Sequence, residues 1–154
     1  MIRRATAADS ALVRAITRVA YAKWVPLIGR EPLPMTADYD HAVSAHLIDI
    51  LERDGHAAGL VEMIPAADFL MIENIAVLPE QQGKGIGGLL LAHAEKTARQ
   101  LALPELRLFT NLAFSANIAF YASRGFIEYA RQAIPSGGEL IHMKKPISRL
   151  SREA

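Results

Sequence analysis

Gly83, Gly85 and Gly87 fall within five residues, with Gly88 directly behind them, between an apolar strand-like run and a helical pattern. Glycine lowers helix stability through the backbone entropy it loses, so a cluster at a helix start points to a ligand rather than to a neutral turn. Such a junction lets the backbone approach a bound group and leaves helix-start N–H groups facing outward, where an anion is stabilised. On one side Phe69 to Val77 reads as a strand with apolar residues on both faces, ended by Pro79. On the other a helix runs to about Ala102, with Ile86, Leu89, Leu90, Ala94 and Leu101 on one side and Glu95, Lys96 and Arg99 away from them.

Two phosphate motifs are excluded. A P-loop needs Ser or Thr after Gly83-Lys84, where Gly85 stands. Gly83, Gly85 and Gly88 match the dinucleotide pattern G-x-G-x-x-G literally. Yet Leu78 to Gln82 intervene between the strand and the first glycine, and the next strand ends in Thr110-Asn111 rather than in an acidic residue able to hold a ribose.

Around this junction, strands and helices alternate. Ile2 to Ala5 predicts a short strand, and Thr6 to Asp9 opens a helix with Leu12, Val13, Ile16, Val19 and Ala20 on one face. Pro26, Gly29, Pro32 and Pro34 break the segment up to Tyr39 into an ordered loop or short turns. Ala45–Glu52 and Ala57–Ile64 predict a hairpin through Asp54-Gly55. Leu106 to Thr110 is a further strand, and Ser115 can cap a helix from Ala116 to Arg124 that Gly125 stops. Phe126–Arg131 and Leu140–Lys145 are the last strands, joined through Pro135-Ser136-Gly137-Gly138. The reading is an α/β (or α+β) chain with one domain over residues 1–147 and a frayed tail over 148–154.

The chain has 154 residues, 51% of them hydrophobic, enough for one sizeable core. A formal charge of +1 advertises neither a nucleic-acid nor a membrane surface, so a small-molecule or peptide partner is expected. The absence of cysteine removes a thiolate nucleophile and a Cys-based metal site, and the five histidines lack metal-ligand spacing, so no metal is expected. Without a signal-like or spanning apolar run, the cytoplasm is the default location.

The segment Gln82-Gly83-Lys84-Gly85-Ile86-Gly87 resembles the pyrophosphate-binding motif Q/R-x-x-G-x-G/A of the GNAT superfamily of acyl-CoA N-acyltransferases. Asn117 to Phe126 is similar to a second signature of that superfamily, differing in the placing of its tyrosine, which here stands four residues after Asn117. The resemblance spans roughly Ala45 to Lys145. It implies a mixed, twisted sheet of six or seven strands with helices on both faces and a splayed central strand pair. It also implies acetyl-CoA as cofactor, bound by Gln82, Gly83, Lys84, Gly85, Ile86, Gly87 and Gly88 at the phosphates. The exposed backbone of Ile75, Ala76 and Val77 would hold the pantetheine arm, with Asn117 and Phe120 beside it. A homodimer is compatible with the family.

Acetyl transfer needs a neutral amine, a polarised thioester carbonyl and a proton for the departing thiolate. Tyr121 is the candidate acid. Glu73 shares a strand face with Ile75 and Val77 by alternation and is the candidate base, directly or through water, with a solvated strand carboxylate as its equal alternative. Some relatives carry a glutamate on the next strand, where this chain has Phe109-Thr110-Asn111, so Asn111 is placed with substrate or cofactor instead. Tyr21, Trp24, Met35 and Tyr39 are candidates to line the acceptor side, with Arg30, Glu31 or Asp38 reading charge; a hydrophobic lid packed on the core is the alternative. His93, within an apolar stripe, reads as a core-edge residue. A non-catalytic acyl-CoA-binding domain and a nicotinamide-dependent enzyme are the competing functions.

Overall fold

The computed structural model describes residues 1–148; the tail reading over 149–154 lies outside the described residues. Seven strands form one mixed sheet in the order β1-β2-β3-β4-β5-β7-β6: β1 Ile2–Arg4, β2 Leu47–Arg53, β3 His56–Pro65, β4 Leu70–Val77, β5 Glu105–Asn111, β6 Ile127–Ala133 and β7 Glu139–Pro146. The helices are α1 Ser10–Tyr21, α2 Val25–Ile28, α3 Leu33–Thr36, α4 Tyr39–Ala45, α5 Ile86–Gln100 and α6 Ser115–Ser123. None of the described helices is long and apolar enough to cross a membrane.

The described residues group into two compact units, Met1–Ile64 with Glu73–Ala94, and Pro65–Ile72 with the described residues from Glu95 on. In the first, β2 and β3 form the expected hairpin, with Ile50 opposite Leu60. Asp54 and Gly55 take φ of 55° and 77°, the two left-handed residues that a tight turn needs. One face of the hairpin carries Ile48, Ile50 and Leu60 into a core with Val13, Ile16 and Ala20 of α1 and Tyr39 and Ala42 of α4. Alternation turns Asp49 and Gly59 to the other face, where α5 supplies His93, Ile86 and Leu90. Helices therefore cover both faces.

In the second unit β5 runs antiparallel to β7, and β7 to β6. The first residues of β4 join it in parallel, Leu70 opposite Leu106 and Ile72 opposite Leu108. That ladder stops at Ile72 although β4 continues to Val77. Leu106, Leu108, Ile141 and Met143 are buried, whereas every residue of β6 is exposed.

Several local expectations are corrected. The buried stripe of α1 is Val13, Ile16, Thr17 and Ala20, while Leu12 and Val19 are exposed. Along α5 it is Ile86, Leu90, Leu91, Ala94, Thr97 and Ala98, with Leu89 exposed, as is Leu101 just past the helix end. In both helices a threonine replaces an apolar residue in the stripe, because helix rotation follows the whole contact face rather than the most apolar residues. The expected loop after Pro26 is instead two single-turn helices, α2 closed by Gly29 in the left-handed region (φ 73°), and α4 extends to Ala45. Ser115 lies inside α6; Phe114 holds the cap position without a side-chain bond.

Candidate active site

The glycine turn lies in the first unit. After β4 a 3₁₀ turn over Pro79–Gln81 leads to Gln82, which is extended, then to Gly83 at φ 77° and Gly85 at φ 81°. Both values fall where a side chain would be strained, and a Cβ at either glycine would meet nothing within 4 Å. The turn is open outward. Leu89 donates its N–H to the Gly85 carbonyl at 3.1 Å, which starts the helical ladder and leaves the N–H groups of Ile86, Gly87 and Gly88 at the open helix end. Lys84 is exposed there and Ile86 is buried, anchoring the helix start. Gln82 donates from Nε2 to the Val77 carbonyl at 3.2 Å and accepts from Lys23 Nζ at 3.4 Å, so the turn is tied to the end of β4.

These features fit a phosphate-bearing ligand such as coenzyme A: an uncrowded cradle, outward N–H groups and nearby ammonium groups.

Along β4, Ile72, Asn74 and Ala76 are buried, while Ile75 and Val77 are half-buried and Glu73 is exposed. Glu73 thus shares the more open side with Ile75 and Val77. Tyr21, half-buried at the end of α1, donates its hydroxyl to the Ile75 carbonyl at 3.4 Å. Trp24 is half-buried, with Lys23 Nζ 4.9 Å from its ring centroid. Met35 and Tyr39 are 4% and 3% exposed, so neither presents its side chain to a surface. Desolvation pushes the Tyr39 phenol up to about 12, helped by the charges of Glu62 and Glu73 against the hydrogen bonds of Thr17 and Asn74.

In the second unit, α6 gathers Asn117, Phe120 and Tyr121. The Phe120 and Tyr121 rings stand 5.5 Å apart, Tyr121 meets Phe126 at 5.7 Å, and the Arg124 guanidinium lies 4.7 Å over Phe120. Phe126 N–H returns to the Tyr121 carbonyl and Gly125 takes φ 95°, a left-handed helix stop that fixes the tyrosine turn. Desolvation alone pushes the Tyr121 phenol up to about 12, so it keeps its proton at neutral pH. Asn111 is buried and its Oδ1 accepts the Ala113 N–H at 2.9 Å, which shapes the approach to α6.

The sequence reading missed several polar groups. His46 Nδ1 and Glu62 Oε2 are 2.6 Å apart, Asn74 reaches Thr17 and Tyr39, and His93 Nε2 lies 2.6 Å from Asp49 Oδ2. The available signal was polar residues at positions that alternation buries: Asp49, Glu62 and Asn74. Among the described residues no cluster of His, Cys, Asp or Glu has the composition to hold a metal ion.

The family model described as "Acetyltransferase (GNAT) family" matches residues 13–126, well over half of the chain. The chain belongs to the GNAT acetyltransferase family. As a GNAT protein it is an acyltransferase, with solved relatives of the same fold. The ribosomal-protein-S18-alanine N-acetyltransferase of Escherichia coli matches with a TM-score of 0.77 and 25% identity over 96% of this chain and 94% of that one. PaiA N-acetyltransferase of Thermoplasma acidophilum, solved in complex with coenzyme A, shares the fold with a TM-score of 0.81 and 21% identity over 95% and 98% of the two chains. A Bacillus subtilis (strain 168) protein provisionally named a ribosomal protein bS18-alanine N-acetyltransferase is 39% identical over 64 residues, 38% of this GNAT chain. The match spans 42% of that relative's length.

Proposed function

We propose that this GNAT chain transfers the acetyl group of acetyl-CoA to a primary amine by direct attack in a ternary complex. The observation that carries the reading is the open glycine turn, with Gly83 and Gly85 in the left-handed region at the start of α5. The N–H groups of Ile86, Gly87 and Gly88, with Lys84, hold the pyrophosphate. The backbone of Ile75 to Val77 holds the pantetheine arm, and Asn117 and Phe120 contribute further contacts to it.

Acetyl-CoA supplies a thioester carbonyl open to a neutral amine, and a thiolate leaving group. Glu73, exposed on β4, takes the proton that the acceptor ammonium must lose. Backbone N–H of the Ile75–Val77 segment stabilises the charge that develops on the carbonyl oxygen. Tyr121 gives the sulfur its proton, a role that suits a phenol still protonated at neutral pH. Tyr21 fixes the Ile75 peptide through its carbonyl and so orients this part of β4. The acceptor amine we favour is a peptide N-terminus, because two relatives are named for alanine N-acetylation of a ribosomal protein. A cytoplasmic location goes with such a partner.

The test is a melting curve with acetyl-CoA, and with NAD as control, followed by thiol release with a short peptide that begins with alanine. A rise with acetyl-CoA alone and thiol release support the reading. Binding without turnover on any amine would make the chain an acyl-CoA-binding domain, and no rise with acetyl-CoA would remove the cofactor site. Glu73→Gln should slow transfer far more than it weakens cofactor binding.

A further inference from the structure

Helix α4 is held at both ends by polar groups that the proposed chemistry does not use. Its C-terminal end is closed by His46, whose N–H donates to the Ala42 carbonyl at 2.9 Å and whose Nδ1 lies 2.6 Å from Glu62 Oε2 on β3. The Glu62 side chain is only 5% exposed, against 25% for His46. At the other end, the Tyr39 hydroxyl donates to the Pro34 carbonyl of α3 at 2.6 Å and accepts from Asn74 Nδ2 of β4 at 3.4 Å. Asn74 Nδ2 also donates to Thr17 Oγ1 of α1 at 3.1 Å, while its own Oδ1 is buried without a hydrogen-bond partner among the described residues. The groups of the first unit are thus linked from α3 through α4 to β3, β4 and α1.

We propose that His46 and Glu62 are positioning residues for the acceptor amine, fastening α4 and the α3 turn through their 2.6 Å contact, so that loosening this contact weakens acceptor binding but not cofactor binding. The proposal rests on the acetyl-transfer reading. Met35 and Tyr39 are buried, so they influence an acceptor only through where α3 and α4 stand. Stability alone is a weak reason for such a pair, since a buried charge pair is commonly no better than apolar residues of the same volume.

The groups facing the pair are Glu73 from β4, and Tyr39 and His41 from α4, the His41 ring lying 6.4 Å edge-on to that of His46. Glu62 is raised above the ordinary carboxylate range by burial, opposed by the His46 contact and reinforced by the charge of Glu73. A carboxyl whose folded-state value is raised stabilises the fold fully below its unfolded value, and that contribution is lost as pH rises through the folded one. The fastening is therefore firm at lower pH and slackens as Glu62 loses its proton and leaves a carboxylate in a buried site.

The experiment is amide hydrogen exchange of α4 in the full chain from roughly pH 4.5 to 9, the range above the ordinary carboxylate value, corrected for intrinsic exchange, in wild type and Glu62→Gln. Alongside it run acceptor KM, with the alanine-initiated peptide as probe, and the acetyl-CoA thermal shift. In wild type, α4 protection should fall about fivefold to tenfold as pH rises, with acceptor KM rising in step and the cofactor shift unchanged. Glu62→Gln keeps a neutral polar group and should flatten both responses relative to wild type, which removes the titration of the acceptor itself from the comparison. His46→Gln serves if Glu62→Gln does not fold. Equal pH responses in wild type and variant, or an acceptor KM indifferent to the loosening of α4, would overturn the proposal. Absence of any acetyl transfer with the exchange behaviour intact would instead count against the functional reading.

Discussion

A Cβ added to Gly59 on β3 would stand 2.7 Å from the carbonyl oxygen of Ala76 on β4 and 3.3 Å from Ile86 and Leu90 of α5. Glycine is required here by space rather than by φ. The missing side chain lets the second half of β4, the strand proposed to hold the pantetheine arm, lie against β3 while the start of α5 packs over both.

Gly59→Ala should consequently destabilise the chain by about 1–3 kcal/mol, the usual range for overpacking against atoms that cannot retreat. For a chain of this length that lowers the melting temperature by roughly 2–10 °C. Acetyl-CoA affinity should fall with it, because Ala76 and Ile86 are displaced together. A variant with an unchanged melting curve would mean that β4 gives way without cost.

Gly85→Ala separates conformation from crowding. Its φ is 81° and nothing lies within 4 Å of the new Cβ, so the cost is backbone strain alone, on the order of 1–2 kcal/mol. We expect a folded protein with a markedly smaller melting shift from acetyl-CoA. An unchanged ligand shift would detach the turn from cofactor binding.

Tyr121→Phe removes the proposed acid with little change in shape. It should lower kcat by about a hundredfold, the lower end of what general-acid catalysis contributes, and leave the acetyl-CoA thermal shift in place. The acid must be protonated to work, and desolvation holds the phenol at about 12. Loss of activity on the alkaline side well below that value should then persist in Tyr121→Phe, because its origin lies in another group. An unchanged kcat in the variant would end the assignment.

Asp49 is 4% exposed and its carboxylate is met by Arg4 Nε on one oxygen and His93 Nε2, at 2.6 Å, on the other. Asp49→Ala removes the carboxylate that Arg4 and His93 meet and opens space under α5, which should cost about 1–3 kcal/mol in chemical denaturation. Acetyl transfer per folded molecule should stay close to wild type, since none of the three residues belongs to the proposed reaction. A large fall in kcat without loss of stability would give His93 a role beyond packing.

Much of the fold was legible because its signals are local. Asp54-Gly55 announced a tight hairpin and both residues take positive φ; Gly83 and Gly85 announced a turn that bulkier residues resist, and both are left-handed. Residue faces were less legible. Leu12, Val19, Leu89 and Leu101 are as apolar as their buried neighbours yet are exposed. Leu12, Val19 and Leu89 lie just outside the stripe that their helix turns to the sheet, and Leu101 falls past the end of α5; periodicity alone fixes neither the centre of a stripe nor where its helix stops. For Met35 and Tyr39 the sequence favoured a packed lid over a pocket wall without giving their exposure, and both side chains are buried.

The sequence by itself determined where the main turns fall, which segments outside residues 25–45 are strands or helices, and that a glycine-rich turn opens α5. Backbone sterics, proline and glycine act over a few residues and leave their mark in the string. Tertiary structure alone decided that His46 meets Glu62, that His93 meets Asp49, and that Asn74 meets Thr17, pairs separated by 16, 44 and 57 residues. Such pairings follow from strand register and from the faces that helices present. Register and faces are settled only when strands and the helices that cover them pack together.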